Sequence, residues 1–279
     1  MEKIIAGLVQ MDSGPDMNEN MRMAEQYVRE AAEQGAKLIL FPETAEYTGA
    51  DMPGHASAVP GYVSRRFSSL AKRYDVYLHC GSMTVRRHPG RPSNTSFLFG
   101  PDGETIAEYS KIHMFDVNIP GSVSCEESRE ICPGNEIVLA DTALGLFGMS
   151  ICYDIRFPEQ YRLMAFSGAD AFLIAADFTK ATGERHWEVL LRTRAIENGC
   201  YVLAANQCGQ KARFEAYGHS MIIAPDGEIL AEADDTPQVL IAELDPEVLE
   251  RTRNEIPSLE NRRDDLYRVS SGNVRIYEE

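Results

Sequence analysis

The sequence predicts an α/β fold, a four-layer α-β-β-α sandwich of two mixed sheets. Three observations lead there. Short β-rich apolar runs alternate with amphipathic helical stretches along most of the 279 residues. The turn tripeptide Pro-Asp-Gly occurs once in each half, at 101–103 and 225–227, both times between strand-like runs. Hydrophobic residues make up 44% of the chain, enough for a sizeable core. The repeated turn reads as weak internal pseudo-symmetry, two sheets packed face to face with helices outside. Chance recurrence of a common turn is the alternative.

Lys3 to Gln10 is β-rich. Met17, Met21, Ala24, Val28 and Ala31 follow at helical spacing, so Asp16 to Gln34 reads as an amphipathic helix ended by Gly35. Lys37 to Phe41 suits a strand covered on both faces. Pro60 to Tyr74 reads as a second helix, and Val76 to Val85 as one strand. Ser96 to Phe99 and Glu104 to Tyr109 flank the first Pro-Asp-Gly as a hairpin. Lys111 to Gly134 has little periodicity and reads as a long loop, which in a compact domain is more often functional than idle. Strands are expected near Ile137 to Ala140 and Leu146 to Ile151, then a helix from Phe157 to about Ser167. Ala171 to Ala175 is another apolar strand. Glu184 to Asn198 is a helix with Trp187, Leu190, Leu191 and Ala195 on one face, and Cys200 to Ala205 is a strand. Gly218 to Ala224 and Glu228 to Ala233 form the second hairpin, and Gln238 to Leu244 adds a strand. Residues 1–245 read as one domain. The charged tail, 246–279, cannot build a core alone and is expected to be mobile or docked on another surface.

The net charge of −16 disfavours nucleic acid and anionic membranes as partners. No apolar run is long enough to cross a bilayer. No basic segment precedes an apolar one at the N-terminus, so no signal peptide is expected. The six cysteines are read as reduced thiols of a cytoplasmic protein, and neither they nor the histidines show zinc-site spacing. That absence leaves no metal expected, and with no phosphate loop or dinucleotide fingerprint present no nucleotide cofactor is expected either.

Three residues stand at strand exits. Cys152 ends the run Leu146–Ile151, just before a helix start at Phe157-Pro158. Glu43 follows Leu38–Phe41 and Pro42. Lys111 follows the strand ending at Tyr109. A thiol near its free pKa needs a base, a cation or a helix N-terminus to become a nucleophile. Each residue alone could be structural. Together they supply thiol, base and cation, a complete set for attack on a carbonyl. A Cys-His pair using His113, in the long loop, is the competing arrangement.

Phe41-Pro-Glu43, Tyr109-Ser-Lys111-Ile-His-Met-Phe-Asp116 and Ser150-Ile-Cys152-Tyr-Asp-Ile-Arg-Phe-Pro-Glu159 resemble the three signature segments of the nitrilase, or carbon–nitrogen hydrolase, superfamily. Cys132-Pro-Gly134, His186–Asn198 and Tyr217–Met221 support the resemblance, which spans residues 3 to about 245. It implies an α-β-β-α sandwich, with Glu43 as general base, Lys111 as stabilising cation and Cys152 as nucleophile. It further implies a second glutamate in the loop, Glu127 rather than the adjacent Glu126, and the Tyr153 backbone N–H as oxyanion donor. The Cys152 segment is most similar to the branch of omega-amidases and deaminated-glutathione amidases. The expected partner is therefore a small carboxylate-bearing amide, cleaved through a thioester with release of ammonia. N-carbamoyl amino acid or β-ureido acid hydrolysis and a non-catalytic assembly subunit are the alternatives. The resemblance also implies a homodimer or higher homo-oligomer, with the tail at a subunit interface. Tyr47, Phe115, Arg156 and Phe178 are candidate substrate-binding residues, Arg156 either as a carboxylate clamp or in a plain salt bridge. Ala176-Asp-Phe-Thr179 departs from the small or aromatic residues of the family there, and Asp177 is expected in the pocket.

Overall fold

A computed structural model describes residues 1–121 and 123–279. In the first half, β1 (Ile4–Gln10), α1 (Met17–Glu33), β2 (Leu38–Leu40), α2 (Tyr62–Tyr74) and β3 (Tyr77–His79) are followed by β4 (Met83–Val85), β5 (Ser93–Phe99) and β6 (Thr105–Ser110). A small hairpin, β7 (Asp116–Asn118) and β8 (Ser124–Glu126), leads into the second half. There β9 (Ile137–Thr142), β10 (Gly145–Ile151), α3 (Pro158–Phe166), β11 (Ala171–Ala176), α4 (Lys180–Asn198) and β12 (Tyr201–Asn206) precede a second small hairpin, β13 (Cys208–Gln210) and β14 (Glu215–Tyr217). The chain ends with β15 (Met221–Ile223), β16 (Ile229–Glu232), β17 (Gln238–Leu244), α5 (Pro246–Glu255) and β18 (Val274–Glu278).

Two seven-stranded mixed sheets result. The first runs β17-β1-β2-β3-β5-β4, with β6 also paired to β5; the second runs β16-β15-β12-β11-β10-β9-β18. Each has three consecutive parallel strands (β1-β2-β3 and β10-β11-β12), then an antiparallel neighbour that opens a Pro-Asp-Gly hairpin. The repeated turn therefore marks a real correspondence between the halves.

Period-two alternation divides the core. Val9, Ile39 and Leu78 pack on Val28, Ala31, Phe67 and Ala71 of α1 and α2. Their neighbours Leu8, Leu40 and Leu98 join an apolar body shared with Leu139, Leu173 and Leu203 of the second sheet and with Trp187 and Leu191 of α4. Asp16 caps α1, accepting from the Asn18 and Glu19 amides at 2.9 and 3.2 Å. Gly7 lets α1 lie close: a Cβ there would sit 3.1 Å from Ala31 Cβ.

Four expectations need correction. Val76–Val85 is not one strand, because Gly81 (φ +71°) turns the chain between β3 and β4. A Cβ at Gly81 would fall 1.8 Å from the Pro42 carbonyl oxygen. The loop 111–134 carries the β7–β8 hairpin. The α4 helix begins at Lys180, one turn before Glu184. The segment after Asp245 is not wholly irregular. Asp245 caps α5, and β18 pairs in parallel with β9 of its own sheet, Val274 opposite Ile137 through Glu278 opposite Asp141. Among the described residues, no helix is long and apolar enough to cross a membrane.

Candidate active site

Glu43, Lys111, Cys152 and Asp177 follow β2, β6, β10 and β11, and the packing of the two sheets brings these ends together. Cys152 opens a short 3₁₀ turn, Cys152–Arg156, with φ +48°. That left-handed backbone costs a non-glycine residue on the order of 1–3 kcal/mol and marks a sharp strand-to-helix turn that lifts the side chain out of the sheet. The helix start expected at Phe157-Pro158 is in place: α3 begins at Pro158, directly after this turn. Thr44 is likewise left-handed (φ +51°), and its amide is held by Ser82 Oγ at 3.1 Å. Gln207 Nε2 donates to the Glu43 carbonyl (2.9 Å), pinning the first sheet to the second.

Lys111 is buried and bridges two carboxylates. Its Nζ lies 3.1 Å from Glu43 Oε1 and 2.9 Å from Glu127 Oε2. Glu127, not Glu126, makes this contact; Glu126 pairs with Arg129 at 2.7 Å on the surface. Glu127 also accepts from the Phe115 amide at 2.6 Å. Glu43 accepts from Asn94 Nδ2 (2.7 Å) and from the Asp177 amide (2.8 Å). Burial alone would pull the Lys111 ammonium down, but the Glu127 and Glu43 carboxylates outweigh it and hold the group well above the ordinary lysine value. The Cys152 thiol is pushed well above its ordinary value, first by burial and then by the Glu43 carboxylate, with Lys111 pulling the other way. The resting thiol is therefore protonated, with a carboxylate beside it.

Asp154, fully buried, binds this turn to the loop that carries Lys111. Its carboxylate accepts from Tyr109 Oη (2.6 Å), the Ile151 amide (2.9 Å), the His113 amide (3.1 Å) and His113 Nδ1 (2.8 Å). Beyond a carboxylate two residues after the thiol, nothing in the local sequence marks this positioning role. His113 is stacked on Phe157, ring centroids 3.6 Å apart, and does not line the cavity. That geometry disfavours the Cys-His arrangement.

The cavity, about 170 Å³, is lined by Cys152, Glu43, Lys111 and Glu127 together with Tyr153, Phe115, Phe178 and Asp177. Two expected pocket residues lie outside the lining. Tyr47 is buried and stacked on His55 at 3.9 Å. Arg156 turns its guanidinium over the Phe178 ring at 5.0 Å, behind the wall, and meets His186 Nδ1 at 3.2 Å, so it is not placed as a carboxylate clamp. Lys211, Arg213 and Asn94, all on the lining, went unnoticed because nothing in their local sequence distinguishes them from surface polar residues. Among the described residues, no cluster of metal-ligating side chains occurs.

The carbon-nitrogen hydrolase family profile matches residues 5–254. A deaminated glutathione amidase of Synechocystis sp. is 39% identical over 269 residues, covering 94% of this chain and 99% of that protein. A human omega-amidase is 36% identical over 265 residues, covering 94% and 96%. The crystal structure of Saccharomyces cerevisiae Nit3, a member of branch 10 of the nitrilase superfamily, superposes with a TM-score of 0.86 at 32% identity, over 94% of this chain and 97% of that one. With these matches along nearly its whole length, and a thiol, an ammonium and two carboxylates meeting in one cavity, the chain belongs to the carbon-nitrogen hydrolase family.

Proposed function

We propose that this protein is a cysteine-dependent amidase releasing ammonia from a small carboxylate-bearing amide. The observation that carries this reading is the buried Cys152 thiol in a small cavity, beside the Glu43 carboxylate and the doubly paired Lys111 ammonium. Family membership supports the reaction class, and the names of the two relatives support the substrate class.

The steps follow from the protonation states. Because the thiol rests protonated, its proton passes to Glu43 as sulfur attacks the amide carbon. The oxygen gains negative charge beside the Lys111 ammonium. The Tyr153 N–H, at the start of a helical turn and so without a partner inside it, is the second donor. Glu43 then protonates the leaving nitrogen. Ammonia departs, leaving a thioester on Cys152. Water, deprotonated by Glu43, releases the acid and restores the thiol. Glu127 holds Lys111 and the Phe115 amide in place throughout. We further propose a cytoplasmic homodimer or larger assembly with the tail segment at a subunit interface; light scattering of the full chain against a chain lacking 246–279 tests the assembly and the part the tail plays in it.

The deciding experiment is Cys152→Ala assayed for ammonia release from a panel of small ω-amides. Complete loss of turnover with an unchanged melting curve is expected. Retained turnover removes Cys152 as nucleophile.

A further inference from the structure

Three cationic side chains reach the catalytic cavity, and they differ in what they still have to offer. Lys111 is buried and held by Glu43 and Glu127. Lys211 is buried too. Its ammonium is committed to Asp12 Oδ1 (2.7 Å), the Ser13 carbonyl (3.2 Å) and Gln207 Oε1 (3.2 Å), one acceptor for each proton. Arg213 lies at the tip of the β13–β14 hairpin with its side chain 54% exposed. Only Nη2 is engaged, by Glu130 Oε1 at 3.2 Å and the Ala50 carbonyl at 3.3 Å; among the described residues, Nε and Nη1 have no partner.

Glu130 lines the same cavity and ends the 3₁₀ turn that begins with Glu127. The Arg213–Glu130 pair therefore links the hairpin tip to the turn that holds Lys111, at the exposed end of a cavity whose reacting groups are buried. An ion pair this exposed contributes only about 0–1 kcal/mol, so an arriving carboxylate can replace Glu130 at little cost. A guanidinium with open donors is the group best matched to a carboxylate, because two N–H groups can grip both oxygens at once. Arg156 does not compete for that part, being turned over Phe178 behind the wall.

We propose that Arg213 selects the substrate by holding the carboxylate at the end remote from the scissile amide, with Glu130 as the partner it gives up. This rests on the amidase reading above and gives its carboxylate a site. The amide then reaches Cys152 while the charged end stays at the open side of the cavity. An amide with a neutral far end leaves the Arg213–Glu130 pair intact and binds more weakly.

Succinamate, glutaramate and adipamate carry the carboxylate at increasing distance from the amide. Succinamide, glutaramide and adipamide keep each shape without the charge and make the matched controls. The first readout is protection of the Cys152-containing peptide from iodoacetamide, followed by mass spectrometry. At the length that fits, the carboxylate should protect at about tenfold lower concentration than its diamide, the scale of one charge-assisted hydrogen bond. Arg213→Gln should abolish the preference and Arg213→Lys restore part of it. Glu130→Gln removes the competing carboxylate and should widen the preference, whereas a pair that merely latched the two loops would make Arg213→Gln and Glu130→Gln act alike. Each variant is first checked for an unchanged melting curve. No carboxylate preference at any length, a preference that survives in Arg213→Gln, or one that falls alike in Arg213→Gln and Glu130→Gln overturns the proposal. Ammonia release is measured alongside. Carboxylate-selective protection without ammonia release refutes the amidase reading and leaves recognition by Arg213 standing, so the two failures are distinguishable.

Discussion

Glu43 acts on its neighbours in opposed ways. Its charge helps hold Lys111 protonated, and the same charge keeps the Cys152 proton on sulfur. Removing that charge should make the thiol more acidic and the enzyme slower. We expect Glu43→Gln to shift the pH midpoint of Cys152 alkylation downward while ammonia release falls by about 10²–10⁴-fold. A midpoint that stays or rises contradicts the arrangement. Much at this scale was legible in the sequence. Glu43, Lys111 and Cys152 each sit just beyond an apolar run, and a charged or reactive group there stands out against its surroundings. Asn94 and Lys211 were not legible, because what distinguishes them is who their partners are across the fold.

Among the elements, the break between β3 and β4 shows what local pattern misses. Val76–Val85 reads as one strand because its apolar residues suit one. Gly81 interrupts it, since the chain must turn where the Pro42 carbonyl, next to Glu43, crosses close by. Gly81→Ala should cost about 3 kcal/mol or more in urea unfolding, from the left-handed backbone and the clash together, and should lower ammonia release through Glu43. The tail was misread for a related reason. Val274–Glu278 is too short and too charged to announce a strand alone, and it becomes one only against the free edge of β9. Glu279 adds contacts to the Tyr77 hydroxyl (2.8 Å) and the Ala143 amide (2.9 Å). Deleting 273–279 uncovers that edge, and a melting-temperature loss of about 3–8 °C is expected. Helices were easier: Asp16 and Gly35 bracket α1 because caps are local chemistry, whereas the start of α4 was missed for lack of a side-chain cap at Thr179.

For the molecule as a whole, stability should carry the imprint of one hidden acid. Glu46 is fully buried, one oxygen bonded to the Thr84 amide (2.8 Å) and the other unpartnered, and burial raises its carboxyl from 4.5 to about 8. The unfolded chain releases this proton near 4.5, whereas the folded chain keeps it to about 8. Between those values the folded state binds more protons, so stability falls as pH rises through the window and levels off above it. Relative to Glu46→Gln, the unaltered protein should lose about 3 kcal/mol between about pH 5.5 and about pH 8, near the limit of 1.4 kcal/mol per unit. Parallel urea curves for the two proteins would refute this. The global architecture was readable from two Pro-Asp-Gly turns, because each marks the same hairpin in one of two similar halves. What no turn could tell is how the halves interlock. All seven residues of β1, Ile4–Gln10, pair with β17, Gln238–Leu244. At a synthesis rate of roughly 5–20 residues per second, the stretch between those strands takes about ten to fifty seconds to make. During that interval the nascent chain presents an apolar strand with one open edge, and a chaperone at the ribosome exit has that long to shield it before its partner emerges.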